Sequence, residues 1–223
     1  MQQAPLTSLK DALNPAGFLV LDTWRQALIE GLGTCLLIFV VGATASGLTQ
    51  SGQSVFAQTF YAGLVNFIGL SLFILAAAPV SGGHLNPTIT LSTFFAGLST
   101  LPRTVIYITA QITGAAVGSF WLRLGVGVES FFPGDVIPGC NIDTRSISVG
   151  QSFALEYMFA QALIFVAFGV GLDPRQAKVF GAALSPIFVG ASLALGTFAS
   201  ALVKEGYTGI CKSWPYDQVT SDH

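Results

Sequence analysis

Charge is what this chain has least of. Only 9% of its 223 residues are Asp, Glu, Lys or Arg, against about 25% in soluble domains, so the chain cannot clothe itself in polar surface. Its nine basic residues are scattered, with no cluster of five or more, and the net charge is -2. Nothing here neutralises a phosphate backbone, which excludes nucleic acid as a partner. Two histidines and three cysteines, Cys35, Cys140 and Cys211, show no CxxC spacing, so no metal and no cofactor is assigned. Cys35 lies in an apolar stretch, where a thiol serves as a small hydrophobe. The first 25 residues lack the charged head, short apolar run and small-residue cleavage site of a removable signal peptide. The first span is therefore expected to act as its own insertion signal.

What fills the chain is apolar. Hydrophobic residues make up 52%, Phe alone numbers 18, and the mean hydropathy is +0.68. Five long runs, Ala27 to Leu48, Val55 to Val80, Thr104 to Val128, Val149 to Leu172 and Val179 to Val203, each meet the requirement of about 20 residues to cross a bilayer. An integral, multi-pass membrane protein follows, with the lipid bilayer as its first partner. Small residues recur along the runs, as at Gly63, Gly69, Gly114 and Gly118, which lets helix backbones approach closely in lipid. A sixth run, Pro87 to Leu98, reaches only about 18 Å as a helix and should dip into the membrane and return.

The polar stretch ahead of that short run carries the functional signal. It reads Ser81-Gly82-Gly83-His84-Leu85-Asn86-Pro87-Thr88-Ile89-Thr90-Leu91, at what should be bilayer depth. Non-helical backbone survives there only when buried in protein or lining a wet cavity. Pro79 and the two glycines are expected to end the second span, and Asn86 to cap a new helix with Pro87 at its first position. That helix would point its positive end and free amides into a cavity, while the backbone of Gly82, Gly83, His84 and Leu85 offers carbonyl acceptors. Donors and acceptors along such a path rehydrate a passing water or alcohol, and the positive end opposes cations. Thr88 is expected either to touch the path or to bond back within its own turn. Asn14-Pro15 is the same dipeptide in the tail and reads as a plain turn.

An internal repeat points the same way. Glu30 and the run Leu37-Ile38-Phe39-Val40 align without gaps on Glu156 and Leu163-Ile164-Phe165-Val166, an offset of 126 residues. Three spans and a half-span separate the copies, so the second should be inverted, and inverted repeats place their site near the midplane. A carboxylate inside a span is costly, and Glu30 and Glu156 are expected to hold loop amides. The in-span carboxylates being structural, a secondary transporter ranks below a channel. Gln111 and Gly114 read as helix packing. With the N-terminus inside, five basic residues face the cytoplasm against four outside.

These residues resemble the aquaporin and aquaglyceroporin (major intrinsic protein) family. The loop from Ser81 to Leu91 is similar to its first signature loop, with Thr88 where most members carry alanine. Glu30, Gly33 and Thr34 resemble its first span, Tyr107, Gln111 and Gly114 its third, and Ser185-Pro186 its fifth. The Asn-Pro-Thr triplet, Cys140 and Asn66 add a likeness to the X intrinsic proteins. The resemblance implies an all-α aquaporin-like fold, no enzymatic activity, passive passage of water or small neutral solutes such as glycerol, and homo- or hetero-tetramers with related subunits. It also implies a selectivity constriction, for which Asn66, Thr197 and Ala201 are the candidates.

The likeness stops at Gly209. The family continues into a second Asn-Pro-Ala-Arg loop, a second half-helix and a sixth span, whereas here Ile210 to His223 reads differently. The expected organisation is a cytoplasmic tail (1–25), a membrane domain (26–209, with repeats at 26–128 and 149–209) and an atypical tail (210–223). A non-conducting relative that associates with full-length subunits is the alternative.

Overall fold

The computed structural model describes residues 7–50, 54–126 and 147–201. Within them every regular element is helical. A single turn α1 (Leu9–Ala12) and a 3-10 turn (Pro15–Leu19) precede α2 (Leu21–Gln50), α3 (Val55–Ser81), the short α4 (Pro87–Phe95), α5 (Leu101–Val126), α6 (Val149–Ala167) and α7 (Pro174–Ala201). Among the described residues five helices are long and apolar enough to cross a membrane, and α4, at nine residues, spans only about 14 Å.

Local chemistry sets the helix starts. Ser54 accepts from Ala57 N at 3.3 Å. Ser148 and Gln151 form a reciprocal capping box, with Gln151 N donating to Ser148 Oγ at 3.2 Å and Ser148 N to Gln151 Oε1 at 3.1 Å. Asn14 accepts from Ala16 N at 3.0 Å and opens the 3-10 turn. Boundaries differ from the sequence expectation where propensity and burial compete. The first spanning helix, α2, starts at Leu21, inside the expected tail. Pro79 does not end α3: the helix runs through it to Ser81 and stops at Gly82, whose left-handed φ of 95° closes the turn with Gly82 N on Ala78 O at 3.0 Å. The last helix starts at Pro174 and is interrupted at Gly181 (φ 72°, ψ 172°), so the expected start at Val179 falls just before this break.

Two helix pairs carry the packing, and small residues set both. A side chain on Gly114 would stand 2.0 Å from Gly31 O, and one on Gly118 would stand 2.4 Å from Cys35 O. The α2 and α5 backbones therefore touch directly. On the other side, a side chain on Gly190 of α7 would meet Phe67 O of α3 at 2.6 Å, and Ser71 Oγ donates to Pro186 O at 3.1 Å. Between these pairs lies an apolar centre of Leu70, Ile74, Ala77 and Leu85. A second cluster, Ile89, Leu163 and Ala167, joins α4 to α6. Half-helix and extended loop are thus clamped between the two pairs.

Candidate functional site

The loop between α3 and α4 is held in a conformation that ordinary residues avoid. Gly82, Gly83 and Leu85 all have positive φ, at 95°, 65° and 48°. At Gly83 the reason is also steric, since a Cβ would lie 3.0 Å from Ile74 O and 3.1 Å from Ala78 N, both fixed helix backbone. Leu85 has no such exemption, and a left-handed leucine persists only where its surroundings over-determine it.

Glu30 supplies that constraint. Its carboxyl is fully buried on α2 and accepts four hydrogen bonds. Oε1 takes Ser81 Oγ at 2.6 Å and His84 N at 2.9 Å, and Oε2 takes Leu85 N at 2.6 Å and Gln111 Nε2 at 2.9 Å. Gly83 N donates to Ser81 Oγ at 3.1 Å. Three consecutive loop amides are therefore turned toward α2 and α3. Among the described residues, no hydrogen bond reaches the carbonyl oxygens of residues 82–85.

A second layer holds the holders. Gln111 Nε2 also donates to Thr90 Oγ1 at 2.9 Å, and Thr90 Oγ1 donates to Asn86 O at 3.1 Å. His84 Nδ1 lies 3.2 Å from the same hydroxyl, and its ring meets Tyr107 edge-on at 5.7 Å. Tyr107 Oη and Arg103 Nη2 both donate to Ser81 O, at 2.9 and 2.8 Å. They satisfy the last carbonyl of α3 where the helix dipole favours a cation. Gln111, expected to serve helix packing, instead has its amide in the polar network. Gly114, one turn on, is the packing residue.

Asn86 caps α4 through Oδ1, which accepts Thr88 N at 2.7 Å, and Pro87 occupies the first helical position. A cavity of about 350 Å³ opens beside this element and is lined by Gly82, Gly83, His84, Leu85 and Asn86. The rest of its lining is almost wholly apolar, with Ile74, Leu163, Val189 and Leu193 among its residues. Thr88 is exposed and is not part of that lining. Asn66 and Thr197 also lie off the cavity but meet each other, with Asn66 Nδ2 donating to Thr197 Oγ1 at 3.1 Å. That ties α3 to α7. Ala201 is the last residue of α7. Glu156, on α6, is half-buried, unlike its repeat partner Glu30. Cys140 and the segment 210–223 lie outside the described residues.

Sequence reasoning missed Ser81, Thr90, Arg103 and Tyr107 as supports of the loop. Their spacing within helices carries no signal for it, because what unites them is three-dimensional proximity to residues 82–86.

A family model described as Major intrinsic protein matches residues 18–211. Aquaporin TIP1-1 of Arabidopsis thaliana is 30% identical over 174 residues, covering 76% of this chain and 65% of that protein. Aquaporin TIP4-1 of Zea mays is 32% identical over 183 residues, covering 79% and 69%. The chain thus spans about two thirds of the length of these relatives. They are TIP aquaporins, and the finer likeness to X intrinsic proteins gains no support from them. Among solved structures, the X-ray structure of the aquaglyceroporin from Plasmodium falciparum superposes with a TM-score of 0.62 at 25% identity, covering 78% of this chain and 72% of that one.

Proposed function

The chain belongs to the major intrinsic protein family, and from that premise we propose that it is a multi-pass membrane channel for water or small neutral solutes such as glycerol. The observation that supports this reading is the cavity wall formed by residues 82–86. With the loop amides drawn to Glu30 and Ser81, the carbonyls of that wall remain available to a solute, and the capped start of α4 adds a positive dipole end at their far side. A solute sliding along this wall exchanges water for carbonyl acceptors one at a time, while the apolar remainder of the lining offers nothing to retain it.

Selectivity in this proposal comes from shape and polarity without chemistry on the solute. Asn86, Pro87 and the backbone of residues 82–85 form the polar rail, and Glu30 positions it. Asn66 and Thr197, bonded to each other across α3 and α7, and Ala201 at the end of α7 are the candidates for a constriction in this proposal. Tetramers of identical or related subunits are part of the same proposal, and the apolar outer faces that such contacts leave free meet lipid.

Stopped-flow light scattering of proteoliposomes tests the proposal. Expected is osmotic or glycerol flux above protein-free vesicles at matched protein density. Flux equal to the control would overturn the channel reading in favour of a non-conducting subunit that acts only beside related copies.

A further inference from the structure

We propose that residues 8–20 form an interfacial collar whose apolar side inserts into the headgroup–acyl boundary of the bilayer. The segment folds onto the bundle, as its contacts show. Thr7 N donates to Gly97 O at 2.9 Å, in the turn after α4. The position of a side chain on Gly17 lies 3.0 Å from the ring of Pro102, in the first turn of α5. Ala12, at 7% exposure, faces the protein.

The flank next to that contact is apolar and uncovered, about a quarter-turn round from Ala12. Leu9 and Leu13, four residues apart and thus on one face, are 76% and 48% exposed, and Leu19 is 88% exposed. A soluble surface would not place these leucines together on a folded segment. The occupant is lipid, because the patch continues the outer face of a membrane span. Leu21, Trp24, Leu28 and Leu32 run down one side of α2 at 62%, 50%, 73% and 55% exposure. Trp24 joins the two parts: its indole N–H donates to Phe18 O at 2.8 Å, the placement of an aromatic at a membrane interface.

Height agrees with this. The collar touches the first turn of α5 and leads directly into α2, so it lies where two spans enter the membrane. Its polar groups occupy other directions: Ser8 Oγ donates to Asp11 Oδ2 at 2.6 Å, and Lys10 is exposed. Apolar body inward and polar groups toward water is the arrangement of a segment lying in the interface plane. Because Thr7, immediately before the collar, is bonded to the turn that follows α4, the collar's insertion would tie the half-helix to the bilayer surface.

Site-directed spin labelling tests the collar without relying on transport. In a chain whose native cysteines are replaced by serine, Leu9→Cys, Leu13→Cys, Leu19→Cys and Lys10→Cys would each be labelled and reconstituted in phosphatidylcholine vesicles. Expected is an oxygen-to-nickel-chelate accessibility ratio at the three leucine positions at least about threefold above that at position 10. Ratios equal to that of position 10 would place the segment in water and overturn the proposal. Immobilised labels shielded from both reagents would also overturn it, by showing that protein covers the patch. Substitution at exposed positions leaves the fold intact, so each outcome reads the environment.

Discussion

Glu30→Gln removes no volume and one acceptor oxygen, so its consequence can be worked from the four bonds on that carboxyl. If the new amide nitrogen takes the Oε1 place, Ser81 Oγ can turn its hydrogen to Ala77 O, 3.2 Å away, but His84 N–H has nowhere to go. If it takes the Oε2 place, Gln111 can reverse its own amide, at the expense of its bond to Thr90, but Leu85 N–H is stranded. Either arrangement leaves one backbone donor facing a donor in a fully buried site. An unsatisfied buried donor costs about 1–3 kcal/mol, and exchanging charge-assisted for neutral bonds adds to it. A loss of about 2–4 kcal/mol is expected, or about 4–16 °C in Tm for a domain of this size. The loss should concentrate at the loop, since Leu85 keeps its left-handed φ only under this constraint. Thermal unfolding in detergent, followed by intrinsic fluorescence, is the measurement, with Glu156→Gln as the control because Glu156 is half-buried on α6. Equal melting losses in the two variants, or none in Glu30→Gln, would refute the reasoning.

Three further outcomes are expected. Gly83→Ala should cost more than Gly82→Ala. Both place alanine at positive φ, at about 1–2 kcal/mol, but only at Gly83 does the Cβ meet fixed backbone, at 3.0 and 3.1 Å; similar Tm losses in the two variants would count against the packing argument. A double-mutant cycle on Asn66→Ala and Thr197→Val should return a coupling of about 0.5–1.5 kcal/mol for their bond, and additive losses would show that the pair does not tie α3 to α7. Asn86→Asp keeps the cap, since aspartate accepts from the Thr88 amide equally well, but puts a negative charge beside the cavity; conductance in planar bilayers should show a cation leak at least about tenfold over the unaltered protein, and an unchanged leak would remove the α4 terminus from the cation barrier.

Much of this architecture is dictated locally. Runs of about 20 apolar residues have no alternative to a membrane helix, because every backbone polar group must be satisfied within the segment. The five spans were therefore legible, as was the half-helix, whose cap and proline are chemistry between near neighbours. Errors came where two local rules compete. Pro79 reads as a terminator, yet it lies inside α3, and glycine at Gly82, which alone tolerates that φ, decides where the helix stops.

Asn14-Pro15 and Asn86-Pro87 show where local reading ends. Both asparagines accept a hydrogen bond from the amide two residues on, at 3.0 and 2.7 Å, and both prolines open a helical turn. Sequence by itself determined that shared chemistry, along with the spans and the small residues at their crossings. Tertiary structure alone decided which dipeptide borders a cavity, because that depends on Glu30 meeting amides 54 and 55 residues away and on Gln111 reaching across 81. It likewise separated Gln111, bonded to the carboxyl, from Gly114, pressed on Gly31 O. Near neighbours specify conformation; a buried carboxyl that must find four donors specifies which distant segments share one place.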